Sequence, residues 1–129
     1  KNKELAMFEL DVIREFSSAH CLKGYCGNCS EKHGHNWSVQ VFIRSEKLDE
    51  IGIAVDFKAL KRELDALLGE LDHKDLNSIP PFDKLNPTSE NIAMYIYKRL
   101  SEKLNGNGVK VYRVRVGENA SSGASYFED

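Results

Sequence analysis

Four histidines and three cysteines stand in this 129-residue chain, and most of them crowd into one short stretch. Cys21, Cys26 and Cys29 lie within nine residues of one another, with His20 just before them and His33 and His35 just after, while His73 stands apart. An odd, clustered set of cysteines does not read as a secreted disulfide framework. In a reducing compartment it points to metal or thiol chemistry. Three neutral imidazoles brought to one point suit zinc, with a fourth position left for water or substrate. Such an open site is catalytic in style, because the metal can acidify a bound hydroxyl or polarise a carbonyl. A rival reading closes a structural Cys2His2 zinc site from Cys26, Cys29, His33 and His35, as in a small non-enzymatic zinc module. Its ligand types are right, but the one-residue gap between the histidines is tight and His20 is left without a role. A third reading leaves the histidines as scattered structural residues.

The elements that would position these residues can be read from periodicity. Phe8–His20 reads as a strand with Phe8, Leu10, Val12, Phe16, Ser18 and His20 on one face and Arg14 as the discordant member. Asn36–Arg44 reads as a second strand, with Trp37, Val39, Val41 and Ile43 on one face and Ser38, Gln40 and Arg44 on the other. Between them Cys21–Lys32 carries Gly24, Gly27 and Asn28 and reads as a loop. If the two strands form a hairpin, His20 ends one beside the start of the other, where His33 and His35 project together because side chains two apart share a face. By parity His20 lies with Leu10 and Phe16, and His33 and His35 lie with Trp37 and Val39. All three imidazoles then converge on the covered side of the sheet.

The rest of the chain completes an α+β domain. Asp56 reads as the N-cap of a helix whose apolar stripe is Phe57, Leu60, Leu64, Leu67, Leu68 and Leu71. Pro80–Pro87 is a turn-rich connection. Thr88 or Ser89 then caps a second helix with Ile92, Ile96, Leu100 and Leu104 inward, ended by Asn105–Gly108. Val109–Glu118 and Ser122–Phe127 form a closing hairpin, with Glu118 on the face of Tyr112, Val114 and Val116. Two strands, two helices and two strands predict a single domain over residues 1–129, an antiparallel four-stranded sheet with both helices on one face.

Three more groups can do chemistry. Cys29, four residues before His33 in a glycine-containing loop, would become a thiolate base beside a metal, or remain an inert loop thiol. Asp72 next to His73 can fix a histidine tautomer and form a proton relay, or serve as a polar pair at a helix end. Glu118, at a covered sheet end, needs a donor partner, which a ligand with two adjacent N–H groups would supply bidentately; the alternative is a strand-end glutamate facing water.

Composition narrows the class. Hydrophobic content of 41% and charged content of 29% are ordinary for a globular domain. A net charge of −2 argues against a nucleic-acid or membrane surface as the main partner. No apolar run approaches membrane-spanning length and Lys1–Leu10 lacks a signal-peptide pattern, so a cytoplasmic protein is expected.

Taken together, Phe16-Ser17-Ser18-Ala19-His20, the CxxxHGH run Cys29–His35 continuing into Asn36-Trp37, Leu71-Asp72-His73, Asn86-Pro87-Thr88-Ser89-Glu90-Asn91 and the late Glu118 resemble the 6-pyruvoyltetrahydropterin synthase and 6-carboxytetrahydropterin synthase family. These motifs span nearly the whole chain in the family's order. The resemblance implies a tunnelling fold whose protomers assemble into trimeric barrels stacked as a homohexamer. It also implies Zn²⁺ on His20, His33 and His35, and Cys29 as proton acceptor. Asp72, His73 and Glu118 would act as a relay, with Glu118 also gripping the pterin beside Thr88 and Ser89. The implied substrate is 7,8-dihydroneopterin triphosphate. The short loops and Pro87-Thr88-Ser89-Glu90 resemble the bacterial carboxy-type enzymes of queuosine and deazapurine biosynthesis, which release acetaldehyde and triphosphate. The alternative is the pyruvoyl type, which eliminates triphosphate on the way to tetrahydrobiopterin. Two departures from the pattern stand out. Cys26 adds a CxxC that the core motif does not require, and Glu31 lies near the place where some relatives carry a glutamate base.

Overall fold

The alternation that marks the first half of the chain produces a long hairpin. The computed structural model describes residues 6–24 and 31–128. In it β1 (Phe8–His20) and β2 (His33–Ser45) pair antiparallel along their whole length, with Phe16 opposite Trp37, Ser18 opposite His35 and His20 opposite His33. β2 begins at His33 rather than Asn36, so both of its histidines sit within the ladder. β3 (Val109–Asn119) pairs with β2 and β4 (Ser122–Tyr126) with β3, giving one antiparallel sheet in the order β1-β2-β3-β4.

Helices α1 (Phe57–Gly69) and α2 (Ser89–Leu104) cover one face of this sheet. Their stripes fold as the periodicity predicts: Leu60, Leu64, Leu67 and Leu68 from α1, and Ile92, Ile96 and Leu100 from α2, are buried against Trp37, Val39, Val41, Ile43, Val114 and Val116. Asp56 caps α1 by accepting from the Lys58 amide at 2.9 Å, and Thr88, not Ser89, caps α2 by accepting from the Asn91 amide at 3.0 Å. Leu76 and Phe82 join the core from the connection between the helices, which contains a 3-10 turn over Leu76–Ser78 and a cis Pro80–Pro81 bond. Among the described residues no helix is long and apolar enough to cross a membrane.

Three placements differ from the periodic reading. Phe57 is 48% exposed, because the first turn of α1 overhangs the sheet; there it lines an apolar cavity of about 450 Å³ with Phe8, Leu48 and Ile53. Arg14 is on the covered face but reaches out between the layers, where its Nε bonds Asp65 of α1 at 2.9 Å. Tyr112 does not share the face of Val114 and Val116. A register shift where Phe42 gives way to Ile43 pairs Arg113 with Phe42 and Val111 with Ile43, so Val111 takes the inward place. Tyr112 instead stacks under the Arg44 guanidinium, 3.5 Å from its ring centroid.

Candidate metal centre

Hairpin register alone brings the histidines to one spot. His20 and His33 are directly paired, and His35 follows two places along the same face. Their rings meet nearly edge to face, with centroids 4.9 Å apart for His20–His33, 5.2 Å for His20–His35 and 4.6 Å for His33–His35. One potential ligand atom from each lies within 4.8 Å of the others. Trp37 floors the cluster, packing edge-on against His20 and His35 and donating its indole N–H to the Ser18 carbonyl at 3.1 Å.

Backbone carbonyls settle which ring nitrogens face the centre. A carbonyl oxygen only accepts, so each ring nitrogen against one must carry the proton. His20 Nδ1 donates to the Pro87 carbonyl at 2.8 Å and His33 Nδ1 donates to the Glu31 carbonyl at 2.7 Å. Both rings then present Nε2 as a lone pair, the arrangement in which outer partners fix a metal-binding tautomer. His20 is 1% exposed, and its burial pushes the imidazole pKa down more than the Pro87 carbonyl and the Glu118 charge pull it up. It is therefore neutral near pH 7, as a ligand must be. The Nε2 atoms of His20 and His35 are buried without a hydrogen-bond partner. Buried ring nitrogens without a partner are costly, and a divalent cation of the zinc type would satisfy them. The donor set and geometry fit such an ion.

Glu118 stands where parity places it, on the covered face at the sheet end. Its Oε2 is 3.5 Å from His20 Nε2 and its Oε1 is 3.4 Å from His35 Nε2. The β3–β4 turn leaves no freedom behind it: a Cβ on Gly117 would lie 2.6 Å from the Ser122 carbonyl oxygen.

Asp72 and His73 lie elsewhere, along the outer edge of β1. Asp72 Oδ1 accepts from the Ser17 amide at 2.7 Å and its Oδ2 lies 2.9 Å from His73 Nδ1. The Ser17 amide first, and the His73 ring second, hold the Asp72 carboxyl below the usual carboxylate range. His73 has a positive φ of 56°, its amide bonds the Ser17 carbonyl, and its side chain is 81% exposed. No hydrogen bond among the described residues joins this pair to the three histidines. Cys29, the expected thiolate base, and Cys26 lie outside the described residues. Cys21 is buried and disulfide-bonded, a departure from the metal or thiol role its clustering suggests.

Two kinds of residue carry no signal that spacing could reveal. Pro87 supplies the carbonyl that orients His20; the Asn-Pro-Thr-Ser motif marks the place but not the backbone role. Asn77 and Asn86 clamp the chain that leaves β1, each using its amide as a paired donor and acceptor. Asn77 meets Cys21 at 2.8 and 3.0 Å, and Asn86 meets Lys23 at 2.9 and 2.8 Å. Asn86 also accepts at its own carbonyl from Asn91 at 2.8 Å, which ties this clamp to the first turn of α2. Thr88 and Ser89 flank the site through Pro87, with the Thr88 oxygen already engaged as the cap.

Comparison with known proteins agrees with this geometry. The model of the 6-pyruvoyl tetrahydropterin synthase family matches residues 9–129. A putative 6-carboxy-5,6,7,8-tetrahydropterin synthase of Archaeoglobus fulgidus is 40% identical over 85% of this chain and 87% of its own. A dihydroneopterin monophosphate aldolase of Pyrococcus furiosus is 38% identical over 80% of this chain and 82% of its own. The solved 6-pyruvoyl tetrahydropterin synthase of Caenorhabditis elegans superposes with a TM-score of 0.83 at 26% identity, covering 97% of this chain and 98% of that one. With the same sheet, the same helices and a histidine cluster at the sheet end, this chain belongs to the 6-pyruvoyl tetrahydropterin synthase family.

Proposed function

We propose that the protein is a zinc-dependent enzyme of the carboxy type, converting 7,8-dihydroneopterin triphosphate to 6-carboxy-5,6,7,8-tetrahydropterin with release of acetaldehyde and triphosphate, in queuosine and deazapurine biosynthesis. The observation that carries this reading is the convergence of three histidine ligand atoms, with buried, unpartnered nitrogens among them, at one end of the covered face. The relationship to the Archaeoglobus fulgidus protein favours the carboxy type.

In this reading His20, His33 and His35 hold the zinc, which when bound lowers the pKa of substrate hydroxyls it contacts. Cys29 accepts the carbon-bound proton as a thiolate, and Asp72 and His73 pass it on. Glu118 accepts the N–H edge of the pterin ring, with Thr88 and Ser89 beside it. Because the Thr88 oxygen receives the Asn91 amide, its hydroxyl proton and one lone pair remain to offer a ligand. The exposure of His73 at the β1 edge supports a relay completed between chains of a homohexamer, a dimer of trimers. Light scattering that returned a monomer at micromolar concentration would remove that part of the reading.

The relationship to the Pyrococcus furiosus aldolase favours a second reading, aldol cleavage of dihydroneopterin monophosphate. One experiment separates them: incubate the zinc-loaded protein with the triphosphate and, separately, with the monophosphate, and identify the pterin and aldehyde formed. 6-Carboxytetrahydropterin with acetaldehyde from the triphosphate supports the carboxy type, and a 6-pyruvoyl product replaces it with the pyruvoyl type. Turnover of the monophosphate alone replaces both with the aldolase. Within the same assay Cys29→Ala should lose about 10²–10⁴-fold in rate with zinc retained, and Cys26→Ala should keep most activity under reducing conditions. Normal turnover by Cys29→Ala would move the base elsewhere, with Glu31 the next residue to test.

A further inference from the structure

The contact between Glu118 and the histidines is short, yet no hydrogen bond accounts for it. His20 gives its Nδ1 proton to the Pro87 carbonyl, and its buried Nε2 faces Glu118 Oε2 with no hydrogen bond between them. His35 Nε2, which lies 3.4 Å from Oε1, also has no hydrogen-bond partner. A carboxylate set against two ring nitrogens that have no hydrogen-bond partner leaves a place for a cation between them.

The spacing indicates what that is. Zinc bonds imidazole nitrogen and carboxylate oxygen at about 2.0–2.1 Å, so two ligands on a tetrahedral ion are about 3.3–3.4 Å apart. The two Glu118 contacts are 3.5 and 3.4 Å. That is the spacing of neighbouring ligand atoms around one ion, with the carboxylate turning a different oxygen to each histidine. The approach is also enforced. Glu118 is one residue past Gly117, where an added Cβ would lie 2.6 Å from the Ser122 carbonyl oxygen, and its carboxylate reaches both His20 and His35 from the strand end.

We propose that Glu118 is the fourth metal ligand of the substrate-free protein, a carboxylate that closes the position otherwise open to water. This rests on the three-histidine metal reading above and adds to it, because the same carboxylate must release the metal before it can accept from a pterin ring. A fourth protein ligand would keep the resting site from acidifying a water when no substrate is present.

The test reads metal binding, with no turnover involved. Zinc affinity is measured by chelator competition in wild type, Glu118→Gln and Glu118→Asp, and each protein loaded with Co²⁺ is followed by its visible absorption. Glu118→Gln keeps the side chain's shape and removes its charge. Glu118→Asp keeps the charge and withdraws it by one methylene. Direct ligation requires both variants to weaken zinc by about tenfold or more, the order seen when groups supporting a metal site are lost, and to shift the Co²⁺ band. Zinc affinity unchanged in Glu118→Gln would overturn the proposal. So would wild-type affinity in Glu118→Asp, because the carboxylate would then act through its charge alone. His33→Ala is the control that separates the two readings: if it still binds stoichiometric zinc, the three-histidine site itself fails.

Discussion

Replacing Ser18 by alanine should test how the edge of β1 holds the Asp72–His73 pair. Ser18 is 6% exposed, and its hydroxyl donates to the Leu71 carbonyl while accepting from the Lys74 amide at 3.1 Å. One oxygen thus ties both ends of the segment carrying the pair. Ser18→Ala leaves the Leu71 carbonyl without that donor in a residue that is fully buried. An orphaned buried polar group costs about 1–3 kcal/mol. Lys74 is exposed, so water can replace the lost bond to its amide and only the net worth of a hydrogen bond is at stake, about 0.5–1.5 kcal/mol. The sum is about 1.5–4.5 kcal/mol. Urea denaturation of wild type and variant at one protein concentration measures it. Hydrogen exchange checks its location, since the amides of His73 and Ala19, bonded to Ser17 and Lys74, should open more readily while those of β3 do not. A stability loss below about 0.5 kcal/mol would show that the hydroxyl does not make these bonds. A loss spread evenly over the sheet would show that the segment is not an independent clamp.

Two further predictions concern the β3–β4 turn and acid stability. Gly117→Ala should destabilise the protein by about 2 kcal/mol or more, because the new Cβ would lie 2.6 Å from backbone at Ser122; Gly123→Ala should cost far less, since the atoms nearest its Cβ belong to the movable Arg115 guanidinium, at 2.7 Å. Equal losses in thermal melts would refute the distinction. Glu70 has its carboxyl pKa lowered, first by its hydrogen bond to Arg99, so its folded-state pKa lies below its unfolded one. The resulting stability is present above the unfolded value near 4.5 and is lost as pH falls through the folded pKa. Arg99→Leu should flatten that acid limb in denaturation curves taken from pH 6 down to about pH 3, with only a modest effect near neutrality because the pair is partly exposed. An unchanged limb would remove Glu70 from the account.

Much of this protein is legible one residue at a time. Period-two alternation determines which side of each strand is covered, and by itself it brings His20, His33 and His35 to one face; the register of β1 and β2 agrees with it. The helix stripes and the Asp56 cap follow from spacing and local side-chain chemistry in the same way. These features are local or periodic, so they are written in neighbouring residues. What tertiary structure decided depends on distant partners. Arg14 looks misplaced in its strand until Asp65 of α1 is seen to receive it. Tyr112 counts onto the covered face until the register shift against Phe42 and Ile43 moves it off. Phe57 belongs to the apolar stripe, but the helix overhangs the sheet at that turn. Pro87 offers no side chain to read, and its carbonyl fixes the His20 tautomer only because the segment leading into α2 lies against the end of β1. Parity brings Glu118 to the right face. That its carboxylate meets the Nε2 atoms of two histidines, a contact a metal ion would reconcile, follows from three strand ends meeting in space, which no spacing in the sequence encodes.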